Sequence, residues 1–319
     1  PERAFSFLCF PRGSPSFTIA GTKNPDLPAA YEAALTDCKI YYNTAFAADV
    51  KKIPFTTGKI WDMISETDVR MEQNMKDFFA IYYTLLAGID SEETVSAAIS
   101  GGGWSAAETE TAFGIAMTVE EDTAQRMLQG DMTGIPLREL AQASKSWNLR
   151  EASFGMAAVN AYYNTPERLE SLGAYEPVEN YCTAGLDLRG QRIGVVGHLK
   201  LTPEIRSSAA QIWTLERDPK PGDYPDSACD ALLPRCDTVI ITACTLVNKT
   251  LPHLLELCRD AYTILVGPSC PMCPELLEHG IDRLAGLVVT DRAGMTAQIN
   301  SARRATPYPM GKPFLLKKN

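Results

Sequence analysis

Five short, nearly uninterrupted apolar runs in the last 130 or so residues constrain the fold of this chain more than any other feature. They are Arg192-Ile-Gly-Val-Val-Gly-His198, Gln211-Ile-Trp-Thr-Leu-Glu216, Asp237-Thr-Val-Ile-Ile-Thr-Ala243, Tyr262-Thr-Ile-Leu-Val-Gly267 and Leu284-Ala-Gly-Leu-Val-Val-Thr290. Apolar residues that do not alternate with polar ones belong to strands covered on both faces, as in a parallel sheet. Helical stretches around 203–210, 226–233, 250–260 and 273–279 separate the runs, and strand–helix alternation predicts a doubly wound α/β sheet. The fold class is therefore α/β, with a C-terminal Rossmann-like parallel sheet.

The first half reads as α+β. Helical periodicity runs through 58–88, with Ile60, Ile64, Met71, Met75, Phe78, Phe79, Tyr82 and Leu86 at mixed three- and four-residue spacings. Two strand-like pieces, Val95–Ser100 and Thr111–Thr118, are read as joined across Gly101-Gly-Gly103. One helix starts near Pro136, a favoured first-turn residue; another spans about 150–164 and stops before Pro166. Ahead of these, Ala4–Phe10 and Ser16–Ile19 are expected as strands and 27–50 as a helix. The loop 171–188 marks a domain boundary, so the expected division is an extension, 1–57, an α+β domain, 58–180, and the parallel-sheet domain, 181–319.

Charge and soft ligands divide unequally. The chain of 319 residues carries a net charge of −9, and residues 1–184 account for −11 of it, leaving +2 on 185–319. The second part also holds all three histidines and six of the nine cysteines. An acidic balance argues against nucleic acid as partner, because phosphate binding needs clustered Lys and Arg. No apolar run approaches the roughly 18 residues of a membrane span. An odd number of cysteines with no visible signal peptide points to a reducing, cytoplasmic setting with free thiols or metal ligands.

In an open parallel sheet, ligands bind beyond the carboxyl ends of the strands. Those ends deliver His198, Glu216, Cys244, Asn248, Thr250 and the Cys270-Pro-Met-Cys273 loop. A C-x-x-C spacing lets two thiolates reach one soft ion or close a redox disulfide, and a helix opening at Cys273 would lower a thiol pKa. Cys270, Cys273, Cys244 and His198 are thus the candidate metal ligands, for Zn, Ni, Co, Fe or a metal-containing cofactor. Glu216, Asn248 and Thr250 are candidates to orient the bound group, although Asn248 and Thr250 also suit helix capping. NAD is not expected. Glu216 lies 19 residues after Gly197, where a ribose-binding acid sits, but Gly194-Val-Val-Gly-His-Leu-Lys200 lacks the third glycine of G-x-G-x-x-G. In the first half, Asn148, Ser153 and Asn160 form a small polar strip at helical spacing, suited to close helix packing or to a ligand at the domain cleft.

These segments together resemble a known family. Pro136-Leu-Arg-Glu-Leu-Ala141, Lys145-Ser-Trp-Asn148 and Glu151-Ala-Ser-Phe-Gly-Met-Ala-Ala-Val-Asn-Ala-Tyr-Tyr-Asn164 look like the enolase-N-terminal-like domain of the heavy-metal-chelation proteins. Gly194–His198, Glu216, Gly222-Asp-Tyr-Pro225, Leu233-Pro-Arg-Cys-Asp237, Thr250–Leu257 and Val266-Gly-Pro268 look like its Rossmann-like domain. The match runs over about 58–319. It implies a two-domain protein of anaerobes, linked to metal handling or metallocofactor synthesis. The family usually carries Thr and a small residue where Cys270 and Cys273 stand, so a site there would be particular to this chain. The leading expectation is a metal- or metallocofactor-handling protein with its ligand in the interdomain cleft. The alternatives are an enzyme acting on an anionic small molecule in that cleft, with His198 as general acid–base, and a subunit of a larger assembly or a homo-oligomer built through the extension.

Overall fold

A computed structural model describes residues 73–121, 126–128, 130–177 and 183–318. The elements expected before residue 58, and residues 58–72 of the helix expected over 58–88, lie outside the described residues. The described residues belong to one compact unit, Arg70–Asn319.

That unit contains two sheets. A small antiparallel meander consists of β1 (Ala97–Gly101), β2 (Trp104–Glu108) and β3 (Phe113–Met117). The seven-stranded sheet is built from β4 (Arg192–Val196), β5 (Gln211–Glu216), β6 (Tyr224–Pro225), β7 (Thr238–Thr242), β8 (Tyr262–Val266), β9 (Arg283–Val289) and β10 (Gly311–Lys317). The helices are α1 (Ala80–Ala87), α2 (Leu137–Gln142), α3 (Leu149–Tyr163), α4 (Pro166–Ser171), α5 (Pro203–Ser208), α6 (Cys229–Leu232), α7 (Cys244–Val247), α8 (Leu251–Leu257) and α9 (Arg292–Asn300).

The large sheet runs β10-β9-β8-β7-β4-β5-β6. Every pair is parallel except β10 with β9. Taking only the parallel strands, β4 and β7 stand side by side at the centre and the chain winds outward from them in both directions, which is the doubly wound order. All five expected runs are strands of this sheet, and β4, β7, β8 and β9 are buried along nearly their whole length. β10 was not expected: Pro313 interrupts it, and proline is tolerated because β10 is an edge strand.

The meander corrects one expectation. The two strand-like pieces of the first half are not neighbours in a hairpin, because β2 lies between them and pairs with both. Gly102 and Gly103, at φ 58° and 84°, make the two-residue turn from β1 into β2, a conformation that all but requires glycine. β2 reads Trp-Ser-Ala-Ala-Glu, too small and mixed to announce a strand, yet its first four residues are buried. They are covered by α3, thirteen of whose fifteen residues are buried. The small residues of α3 admit the meander closely. A methyl group on Gly114 of the meander would stand 2.0 Å from the Ala161 nitrogen of α3; Gly155 of α3 admits the turn after α2 in the same way, where a methyl group would stand 2.0 Å from the Ser144 nitrogen.

The two sheets share one apolar cluster that runs from Tyr82 and Met156 through Leu246 to Leu284. Polar ties reinforce it. Asn164 donates from Nδ2 to Cys270 O (2.9 Å) and Leu287 O (3.2 Å) and accepts from Met272 N–H (2.9 Å). Ser269 Oγ accepts from Met117 N–H, and the Trp104 indole donates to Ala305 O. No helix among the described residues is long and apolar enough to cross a membrane.

Candidate functional site

In the doubly wound order a crevice opens at the carboxyl ends of β4 and β7, where the connections leave for opposite faces of the sheet. A cavity of about 960 Å3 occupies it. Its floor is Gly197–His198 after β4, Glu216–Arg217 at the end of β5, Cys244, Thr245 and Asn248–Thr250 after β7, and Gly267–Pro268 after β8. Gly103, Trp104 and Met117 of the meander face it from the opposite side, with residues 304–308 closing one flank. Gly197 and Gly267, at φ 101° and 125°, turn the chain sharply at two of these strand ends.

Five residues proposed from sequence meet on this lining: His198, Glu216, Cys244, Asn248 and Thr250. His198 sits between two carboxylates. Its Nε2 lies 2.6 Å from Asp223 Oδ2, and its Nδ1 lies 3.7 Å from Glu216 Oε1. The His198 ring, followed by the Lys220 backbone N–H, holds the Asp223 carboxyl below the usual range. Asp223 is therefore the acceptor and Nε2 the donor in that contact, and in the neutral imidazole this leaves the lone pair on Nδ1. Glu216 is fixed as firmly: Oε1 accepts from His198 N–H, and Oε2 from Arg217 N–H and Asp218 N–H. Burial pushes the Cys244 thiol up to about 11. Asn248 Oδ1 accepts from both Thr250 N–H and Thr250 Oγ1. Thr250 makes no side-chain cap at the start of α8.

The C-x-x-C pair is elsewhere. Cys270 and Cys273 are 0% exposed and do not line the cavity. The Cys270 thiol points back to Leu265 O, and that of Cys273 to Glu275 Oε2. Burial raises both to about 12, against the lowering expected from a helix N-terminus, and the element that follows is a 3-10 turn over Pro274–His279 rather than an α-helix. The structure therefore does not join this pair to His198 and Cys244.

Asn148, Ser153 and Asn160 are likewise in packing rather than on the cleft wall. Asn148 caps α3 through Glu151 N–H. Ser153 donates to Leu149 O and accepts from Val119 N–H. Asn160 donates to Ile115 O of the meander, and its Oδ1 has no partner.

Sequence reasoning passed over Asp223, although the Gly222-Asp-Tyr-Pro225 motif carried it. It also passed over Lys249, Arg304 and the exposed pair His253–Asp230 (3.1 Å), all on the lining. Among the described residues, no three His, Cys, Asp or Glu side chains converge so as to hold a metal ion.

Comparison with known proteins places these features in a wider group. Two family models, DUF4213 over residues 82–163 and DUF364 over 184–307, match the chain, and each is described as "Putative heavy-metal chelation". An uncharacterized protein of Methanocaldococcus jannaschii is 31% identical over 189 residues, which span 56% of this chain and 71% of that protein. A crystal structure of a DUF364-family protein with unknown function from Desulfitobacterium hafniense DCB-2 superposes with a TM-score of 0.67 at 35% identity, covering 76% of this chain and 99% of that one. Another from Pyrococcus horikoshii, at 20% identity and TM-score 0.62, covers the same shares and is a likeness of fold.

Proposed function

Because this chain belongs to the DUF364 family, we propose that its cleft binds a heavy metal as cargo, presented inside a small organic chelate rather than as a bare ion. The carrying observation is the mismatch between the cavity and the donors. A volume of about 960 Å3 suits an organic molecule, since such pockets usually measure about 300–1,000 Å3. A cage for a bare ion needs three or four convergent donors, and the described residues offer no such set.

Two donors do fit. His198 Nδ1 and Glu216 Oε1, 3.7 Å apart, can both reach one ion at about 2.0–2.2 Å. Asp223 holds the imidazole by its other nitrogen, the outer-shell arrangement that orients a metal-binding histidine. The chelator would fill the remaining coordination positions, so the protein could take up and release the metal without dismantling a cage. The alternative reading, an enzyme acting on an anionic small molecule, draws on Arg217, Lys249 and Arg304 along the same lining. A role of residues 1–57 in assembly lies outside the described residues.

Native mass spectrometry and elemental analysis of the anaerobically purified full chain test this reading. A metal and an organic mass should be found together and released together, and both should fall in Glu216→Gln and His198→Ala. Stoichiometric metal with no accompanying organic mass, or retention of both in these variants, would sink it.

A further inference from the structure

Among the described residues Lys249 is the one lysine on the cleft lining, and three independent observations set it aside from a surface lysine. It is only 5% exposed while contributing to the cavity wall. Its φ of 69° places a side-chain-bearing residue in the left-handed region, the step that turns the chain from α7 into α8. Among the described residues no carboxylate stands within ion-pair distance of it. Its ammonium has instead Val247 O at 3.0 Å and the face of the Tyr82 ring, 5.2 Å to the centroid. An amine kept out of water without a counter-ion loses its proton easily, and burial alone lowers this one to about 7.

We propose that Lys249 is a reactive amine that forms an imine with an α-oxo acid held in the cleft. The carboxylate partners would be Arg304 and Arg217, which line the same cavity. In the step, the neutral Nζ attacks the carbonyl carbon and a carbinolamine forms. The carbonyl oxygen then departs as water with both amine hydrogens, leaving the C=N bond; no oxidant or reductant is consumed. Reaching the cavity breaks the bond of Nζ to Val247 O, and the four-carbon stem supplies the travel. The inference goes beyond the cargo reading and does not depend on it, since a protein that binds no metal chelate could still form this imine.

Reductive trapping tests it. The full chain is incubated with glyoxylate and cyanoborohydride near pH 7.5, and the labelled lysines are identified by peptide mass. Lys249 should carry the carboxymethyl product about tenfold or more faster than the exposed Lys312 and Lys318. That selectivity should vanish in urea. Arg304→Gln should slow trapping of glyoxylate at Lys249 while leaving trapping of acetaldehyde, which has no carboxylate, unchanged. Labelling of Lys249 no faster than the surface lysines, or selectivity that survives in urea, overturns the proposal. Equal slowing of both aldehydes by Arg304→Gln overturns the assignment of an α-oxo acid. None of these readouts depends on metal, so they fail separately from the chelate reading.

Discussion

Lys249 shows what a single residue contributes when its surroundings contradict its chemistry. In the unfolded chain its pKa is near 10.4; in the fold it falls to about 7, with desolvation as the cause. Between those values the unfolded chain binds more protons than the native one, so stability rises with pH across that window, and the penalty is fully present below it. Wild type should gain about 2 kcal/mol between pH 7 and pH 9 from this group alone. Lys249→Met, similar in length and apolar, should be more stable than wild type at pH 7 and lack that gain. Urea midpoints at the two pH values decide it. The cysteines make the converse case: a motif read as reactive is quiet. With thiols raised to about 12, Cys270 and Cys273 should resist iodoacetamide at pH 8 in the native protein and react only in denaturant, as peptide mass spectrometry would show.

Elements in this protein hold together by closeness of backbone more than by bulk. The meander and α3 approach each other through Gly114, with Ala157 O and Ala161 N where a β-carbon would otherwise stand, at 2.2 and 2.0 Å. Both neighbours are backbone atoms and cannot rotate away. Gly114→Ala should therefore cost about 3 kcal/mol, the upper part of the usual range for overpacking, read as a lower urea midpoint at unchanged slope. A loss below half a kcal/mol would mean that α3 can slide, contrary to its burial on nearly every side. Asn148 at its N-cap and the Ser153 and Asn160 bonds fix the same helix, which explains why a polar strip at helical spacing is here a packing surface.

At the scale of the whole molecule, the cleft exists because two sheets are locked to one another. Asn164, just past the end of α3, reaches the loop after β8 and the backbone of β9 with three hydrogen bonds. Asn164→Ala would leave two buried carbonyls and the Met272 N–H unpaired, at about 3 kcal/mol in all. We expect faster hydrogen exchange at Met272 and weaker retention of the cleft ligand, with unfolding still a single transition because the apolar cluster is shared. Separate transitions for the meander and the large sheet would contradict this.

Much of this was legible beforehand, for identifiable reasons. β4, β7, β8 and β9 could be read because strands buried on both faces must be apolar throughout, β5 because its apolar run survives although it is mostly half-buried, and a strand's end names the residues that follow it. His198, Glu216, Cys244, Asn248 and Thr250 were found in that way. β2 could not be read, since its alanines become a strand only against α3, nor could β10, whose Pro313 is acceptable only at an edge. The sequence by itself determined a parallel, doubly wound sheet and the residues at its carboxyl edge, because burial periodicity and chain order are local properties. Only the tertiary structure decided which of them share a cavity. Asn164, more than a hundred residues away in sequence, bonds the backbone of the Cys270–Cys273 turn at Cys270 and Met272, and the thiols of that turn lie buried off the cavity lining. The folded loop after β5 brings Asp223 to His198, and the turn between α7 and α8 buries the Lys249 amine. Each depends on contacts between segments distant in sequence, and no local pattern records such a contact.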